Sequence, residues 1–292
     1  MSTTPEGILR PPWFIQGKTD RPGRTEGSLA IGVESESSYE RICQPTEAER
    51  QVADLLPIDA GSQRAQTTID SVPLWFHTFC LDGRVYTPGI ARDHRYRVPV
   101  LPDDFGGRSV LDVGTFDGFY AFLAEARGAD RVVAIDNEQY VYWVRSRFGI
   151  RLEGGAGFQA IAELLDSAVV YMRLDGYDID ALREQFDLIL CCGILHRVRD
   201  PLALLDVLRR RLEPGGEVLL ETHGVTDQRL EEGAGIHVCE PGELYRRDDF
   251  VYWGFSGASL DRLAGLAGFR ETEIRDAPIV DGRPRIICNL RT

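Results

Sequence analysis

Lysine is almost missing from this chain. Lys18 is the only one, so nearly all positive charge is carried by arginine, and that charge is outweighed. The 33 basic and 46 acidic residues leave a formal charge of −13. A balance of that sign disfavours the broad phosphate neutralisation that long nucleic acids require, although a local basic patch can escape the average. The shortage of lysine itself reads as base-composition bias and not as function. Long apolar runs are also missing: no window approaches the length of a membrane span, and the opening "MSTTPEGILRPPWF" has no signal-peptide apolar core. Those two absences point to a cytoplasmic protein with no membrane partner. The six cysteines, Cys43, Cys80, Cys191, Cys192, Cys239 and Cys288, include no C-x-x-C pair. That argues against a zinc ribbon and, in a chain this long, against a disulfide framework, so buried reduced thiols and no metal are expected. Glu221, His223, His237 and Cys239 are residue types that a divalent ion takes, but no spacing rule supports a site there.

What is present is the composition of an ordinary globular protein, 43% hydrophobic and 27% charged, in a chain of 292 residues. That length suits one large domain with an N-terminal extension. The texture divides the chain into an arm and lid-like extension over residues 1–107 and a main domain over 108–292. Residues 1 to about 45 are rich in Pro, Gly, Ser and Thr, which predicts an extended arm. "TEAERQVADLLPI" reads as a helix with Thr46 as N-cap and Glu49 completing a capping box. "VPLWFHTFCLDGRVYTPG" holds two strand-like stretches about the turn Asp82-Gly83.

Beyond Arg108, short apolar runs alternate with helical patterns. "VLDV", "RVVAID", "AVVYMRLD", "FDLILCCG" and "GEVLLET" are the runs. Helices are expected from about Phe119, through "EQYVYWVRSRF", "FQAIAELLDS" and "DPLALLDVLRRRL", and again at "SLDRLAGLAGF". Such alternation predicts a parallel sheet with helices on both faces. "RETEIRDAP" and "RPRIICNLR" close the chain as a hairpin.

The stretch "SVLDVGTFDGFY" places its tightest turn between a strand and a helix. In an open α/β sheet that turn builds the floor of the ligand site. A pyrophosphate would prefer G-x-G-x-x-G, but here the glycines are Gly114 and Gly118, with Phe116 between them and Asp117 adding negative charge. A phosphate-free, cationic ligand suits the loop better. S-adenosylmethionine is one, with its sulfonium, its α-ammonium group and a bare ribose. Asp136, ending the second run, lies about 20 residues on, where a carboxylate accepts both ribose hydroxyls. The glycine spacing therefore opposes a nicotinamide-dependent dehydrogenase.

With "VLDVGTFDGFY", "AIDNE", "FDLILCCGILHRVRDPLALLDVLRRRLEPGGEVLLET" and "WFHTFCLDG", the chain from about Trp75 onward resembles the class I S-adenosylmethionine-dependent methyltransferases. It is most similar to the branch holding the wobble-uridine tRNA methyltransferases and carboxymethyltransferases. The resemblance implies a seven-stranded, mostly parallel Rossmann-like sheet ending in an antiparallel hairpin strand, with a helical or extended N-terminal extension. It implies donor contacts at Asp112, Gly114, Thr115, Phe116 and Gly118 for the methionine end, and Asp136 with Asn137 for the ribose. Tyr177 and Asp178 are implied for the adenine, Asp175 being the fallback, and Cys192 for the face of the donor. Phe116 departs from the D-x-G-x-G-x-G pattern, which implies a shifted or ring-covered loop. His196 stands where tRNA-modifying relatives carry tyrosine, and "DSVPLWFHTF" has none of the upstream basic residues that hold a carboxylated donor. Arg285 alone matches a C-terminal arginine of that family. A plain methyl donor is therefore favoured.

Methyl transfer needs alignment and exclusion of water, and a hydroxyl acceptor gains from a base. His196 and His223 follow the fourth and fifth apolar runs and are the candidate catalytic residues, each as a base or a direct acceptor contact. The long connection from Gly224 to Ser256 reads as a lid. Its Tyr252 and Trp253, with His77 and Phe79 from upstream, are the candidate acceptor wall. The favoured activity is methyl transfer to oxygen or nitrogen of a small molecule of secondary metabolism. The alternatives are a tRNA wobble-uridine methyl- or carboxymethyltransferase and a non-catalytic donor-binding sensor. The motifs leave the acceptor and self-association into a homo-oligomer open.

Overall fold

The five apolar runs fold as five adjacent parallel strands, the inner ones buried on both faces and the edge run at Val170–Arg173 largely exposed. They are β1 (Ser109–Val113), β2 (Arg131–Asp136), β3 (Val170–Arg173), β4 (Phe186–Cys192) and β5 (Leu212–His223). This computed structural model describes residues 44–245 and 248–292, so the expected arm falls outside the described residues apart from its last two positions. A two-stranded sheet of β6 (Ile236–Val238) and β7 (Trp253–Phe255) stands apart. The chain returns through β8 (Glu271–Asp276), the short β9 (Ile279–Val280) and β10 (Arg283–Arg291). The main sheet runs β3-β2-β1-β4-β5-β10-β8, with β9 paired to the start of β10. β10 is antiparallel to both β5 and β8. This is the mostly parallel sheet with a closing hairpin that the sequence predicts.

Alternation along the strands builds two cores. Val110 of β1 faces one side, with Phe119 and Phe122 of the helix Phe119–Ala126 and Phe158 and Ile161 of the helix Ala156–Leu165. Leu111 and Val113 face the other, with Leu204 and Leu208 of the helix Pro201–Arg210 and Leu260 of the helix Gly257–Leu266. Pro201 sits in the first helical turn, and the Asp200 carboxylate accepts from Ala203 N–H at 3.0 Å as N-cap. The segment before β1 is continuous with the first core: Leu74, Trp75, Phe79 and Phe105 pack with Phe119 and Phe122. The change of texture at residue 107 is thus not a break in packing.

Two local expectations differ from what is found, and two further features stand outside the sequence reading. Thr46 does cap the helix Glu47–Ala53, accepting from Glu49 N–H at 3.3 Å, but the Glu49 carboxyl does not close a capping box. It turns inward and is fully buried near Asp93 and His94, where desolvation pushes it up to about 7. The two strand-like stretches around Asp82-Gly83 make only isolated bridges, Pro57 with Cys80 and Cys80 with Tyr86. The Thr87 hydroxyl adds to the backbone bonds Thr87 N–H to Phe79 C=O and Leu81 N–H to Val85 C=O, accepting from Phe79 N–H and donating to His77 C=O, each at 2.8 Å. A helix over Ser62–Ser71 was not expected, since among its residues only Ala65 is buried. Finally, "EPGG" lies inside β5, where the pairing with β4 shifts register between Phe186 and Leu188.

Candidate functional site at the carboxyl edge of the sheet

Parallel register aligns the strand ends. Val113 pairs with Ile135, Asp112 with Leu190, and Cys192 with Glu221, so the ends of β1, β2, β4 and β5 share one edge. The β1 turn departs from that edge through two left-handed glycines, Gly114 at φ +77 and Gly118 at φ +87. A Cβ on Gly118 would stand 2.5 Å from the Phe122 ring and 2.6 Å from that of Phe158, and one on Gly114 would meet Ile194. Both positions therefore demand glycine for conformation and for space.

Phe116 also has a positive φ, +51, which a bulky residue adopts only when its surroundings hold it there. Its ring is stacked between Phe76 at 4.2 Å and Tyr140 at 3.7 Å, and its N–H donates to Asp136 Oδ2 at 3.0 Å. The loop is ring-covered. Asp117 answers a different need from ligand binding. Its Oδ2 accepts from Phe76 N–H at 2.6 Å and His77 N–H at 2.9 Å, which rivets the upstream segment to the glycine loop. Asp117→Ala should orphan one buried and one half-buried donor and lower stability by about 2 kcal/mol or more. Urea denaturation checks this, and an unchanged midpoint would remove the rivet.

Around this turn the electrostatics are one-sided. Asp112 accepts from the Thr115 hydroxyl at 2.7 Å, and Asp136 also accepts from Glu138 N–H at 2.7 Å. Asp112, Asp117 and Asp136 are all buried, and among the described residues none has an ion-pair partner. Burial pushes Asp112 and Asp136 up to about 6 and Asp117 up to about 7. A buried acidic floor without a cation is completed by a cationic ligand and opposed by a pyrophosphate, so these residues fit S-adenosylmethionine. At the next strand end, Asn137 Nδ2 donates to Asp175 Oδ2 at 3.0 Å, and Asp175 Oδ1 accepts from Tyr177 N–H at 3.0 Å. The Tyr177 hydroxyl is engaged with the Asp200 backbone, donating to its C=O at 3.1 Å or accepting from its N–H at 2.7 Å. Asp178 is exposed on the short 3₁₀ helix Gly176–Leu182, so Asp175 and not Asp178 is the acid placed beside Asn137. Cys192, half-buried, ends β4.

Sequence reasoning missed the largest polar feature of this edge. Arg97 bonds Asp93 at 2.5 Å and Glu221 at 2.6 Å, and Arg285 reaches the other Glu221 oxygen, all four side chains being buried. Two cations and two anions compensate one another, and the Arg97 guanidinium lies against Gly193 just past β4. The signals were the match of Arg285 to a family arginine and the i, i+4 pair in "DHRYR", which an exposed helix would carry equally well.

This network and burial set the surroundings of the candidate histidines. His223 Nε2 accepts from Arg285 at 2.5 Å, and burial, then Arg285, push its imidazole down to about 2. It stays neutral with its lone pair occupied, which corrects the expectation of a base. His196 is buried edge-on to His223 at 4.4 Å, with Nδ1 3.3 Å from the Thr222 hydroxyl. Burial, then His223 and Arg285, hold it well below its ordinary value. His77 and Phe79 do not line a wall. Asp117 draws their segment inward, so His77 lies 2% exposed against His94 and Phe79 packs among Trp75, Phe119 and Phe122. Tyr252 and Trp253 do reach the edge: Tyr252 N–H donates to His196 C=O and the Trp253 indole to Val198 C=O, both at 2.8 Å. Glu221 and His223 are committed to Arg285, away from the separate grouping of His237, Cys239 and Glu243.

Comparison with known proteins agrees with this geometry. A family described as "Methyltransferase domain" matches residues 89–274, more than half of the chain. A tRNA U34 carboxymethyltransferase of Klebsiella pneumoniae subsp. pneumoniae is 33% identical over 182 residues, 61% of this chain and 48% of that protein. One from Campylobacter hominis is 31% identical over 171 residues, 59% of this chain and 53% of that protein. The chain thus spans about half the length of the curated relatives it matches. Among solved structures, the N-terminal domain of EvdMO1, crystallised in the presence of SAH and D-fucose, superposes with a TM-score of 0.59. It is 20% identical, over 80% of this chain and 97% of that one, and shares the fold. The chain belongs to the class I S-adenosylmethionine-dependent methyltransferases.

Proposed function

We propose that this protein transfers the methyl group of S-adenosylmethionine to oxygen or nitrogen of a small-molecule acceptor. Asp112, Gly114, Thr115, Phe116 and Gly118 receive the methionine end, Asp136 and Asn137 the ribose, and Asp175 with Tyr177 the adenine, beside Cys192. The donor supplies a carbon already activated by its sulfonium leaving group, so the chain's task is alignment and exclusion of water. His196, neutral under the roof of Tyr252 and Trp253, acts as an acceptor contact and not as a strong base. The observation that carries the small-acceptor reading is this roof, pinned to the backbone at His196 and Val198. A covered edge admits a small molecule more readily than a polynucleotide, and the formal charge of −13 acts in the same direction.

The second reading, wobble-uridine modification of tRNA, is favoured by the names of the relatives. Against its carboxymethyl form, Arg97 and Arg285 are both occupied by Glu221, leaving neither free for a donor carboxylate. Incubation with methyl-labelled donor and either total tRNA or a dialysable metabolite extract separates the readings. Label is expected in the dialysable fraction. Stoichiometric labelling of tRNA would overturn the proposal.

A further inference from the structure

The roof carries a group of side chains that methyl transfer does not use. His237 lies on β6, paired with Gly254 of β7, and Cys239 follows at the strand end with its N–H donating to Tyr252 C=O at 2.9 Å. The chain then turns at Pro241-Gly242 and brings Glu243 back. Glu243 N–H donates to Glu240 C=O at 3.0 Å, and Glu243 Oε2 accepts from Glu240 N–H at 2.7 Å. That leaves Oε1 directed at His237 Nε2, 2.7 Å away. The imidazole nitrogen, the Cys239 sulfur and the Glu243 carboxylate all lie within 4.8 Å of one another.

We propose that His237, Cys239 and Glu243 form a transition-metal site of the zinc class that clasps the roof over the acceptor edge. The donor set decides the metal. One thiolate, one imidazole and one carboxylate suit zinc or cobalt, whereas magnesium and calcium take oxygen ligands. The separations are within small side-chain adjustments of those around an ion with bonds of about 2.0–2.3 Å. Backbone bonds at Cys239 and Glu243 hold the two ends of the turn, so little ordering remains to be done on binding. The Cys239 residue is buried while the His237 and Glu243 side chains are 39% and 36% exposed, so the ion enters from solvent and keeps a water as its fourth ligand. The bond from Cys239 to Tyr252, whose own N–H holds His196, links the clasp to the acceptor edge. Neither Glu221 nor His223 takes part.

Cobalt(II) titration of the full chain, previously treated with chelator, tests this. One equivalent is expected to give a near-ultraviolet thiolate-to-cobalt band and tetrahedral visible bands, both displaced by zinc. Cys239→Ser should abolish the thiolate band, and His237→Gln and Glu243→Gln, at half-exposed positions where folding is not at stake, should each weaken binding. Absence of the band in the parent protein would overturn the proposal, as would a band that survives Cys239→Ser. Cobalt binding lost instead in Glu49→Gln would assign the ion to the buried group of Glu49, Asp93 and His94 and would equally overturn it.

Discussion

Glu221→Gln is expected to lower stability by about 3–5 kcal/mol, the largest effect of any single substitution on this edge. Glu221 is fully buried and is the one anion shared by Arg97 and Arg285. Among the described residues, neutralising it leaves Asp93 as the counter-charge for two desolvated guanidiniums, and Asp93 is paired with Arg97. The penalty is that of an orphaned buried charge, so removing a charge from the other side should recover part of it. Glu221→Gln with Arg285→Met should therefore be less damaged than the sum of the two single changes, and a double-mutant cycle by guanidinium denaturation reads the coupling. The pH dependence follows from direction. The two arginines hold Glu221 below its ordinary carboxylate value, against the opposing effect of burial. A depressed carboxylate contributes stability that is present above its unfolded value, about 4.3, and is lost as pH falls through the folded one. The parent should lose this contribution on acidification below about pH 4, and the variant should lack that limb of the curve. A Glu221→Gln protein within about 0.5 kcal/mol of the parent would mean that the network is solvated and contributes little.

How far the sequence disclosed this molecule depended on whether the determinant was local. β1 to β5 were readable because each is a short apolar run ended by Gly, Asp or Cys, and the closing hairpin because "VDGR" separates two alternating stretches. The helix Ser62–Ser71 was not, because it carries almost no apolar stripe and its N-cap, Gly61, makes no side-chain bond. At the site, the acids at the ends of β1 and β2 stood out by position alone. Asp117 drew attention as a charge inside the loop, yet its partners are backbone groups about forty residues upstream that no motif records. The Arg97–Glu221 pair spans 124 residues of sequence, which places it beyond any local pattern. Histidines were legible as chemistry and not as environment: His77 and His223 differ from free imidazoles only through what folding buries around them.

Asp136→Asn is expected to weaken donor binding about 100-fold, the equivalent of losing roughly 3 kcal/mol of charge-assisted hydrogen bonding to the ribose. Asparagine keeps the side-chain shape and one acceptor, so the N–H of Phe116 or of Glu138 still has a partner and the loop is not simply dismantled. The carboxylate also links binding to protons. In the free protein, desolvation raises Asp136 to about 6, with Asp112 raised to a similar value beside it. Burial favours the protonated forms there, whereas a cationic donor and its ribose hydroxyls favour the carboxylates. Binding is then expected to release protons near pH 6, with affinity falling as pH drops through that value, by up to about tenfold per pH unit for each proton released. Titration calorimetry of S-adenosylmethionine in two buffers of different ionisation enthalpy counts the protons, and in Asp136→Asn the count should fall by the share that Asp136 carries. The sulfonium contributes to this linkage and the neutral sulfur of S-adenosylhomocysteine does not, so the product should show the weaker pH dependence of the two. Affinity that is flat from about pH 5 to 8 for both ligands would show that the acidic floor does not face the donor, and the assignment of Asp112 and Asp136 would fall together.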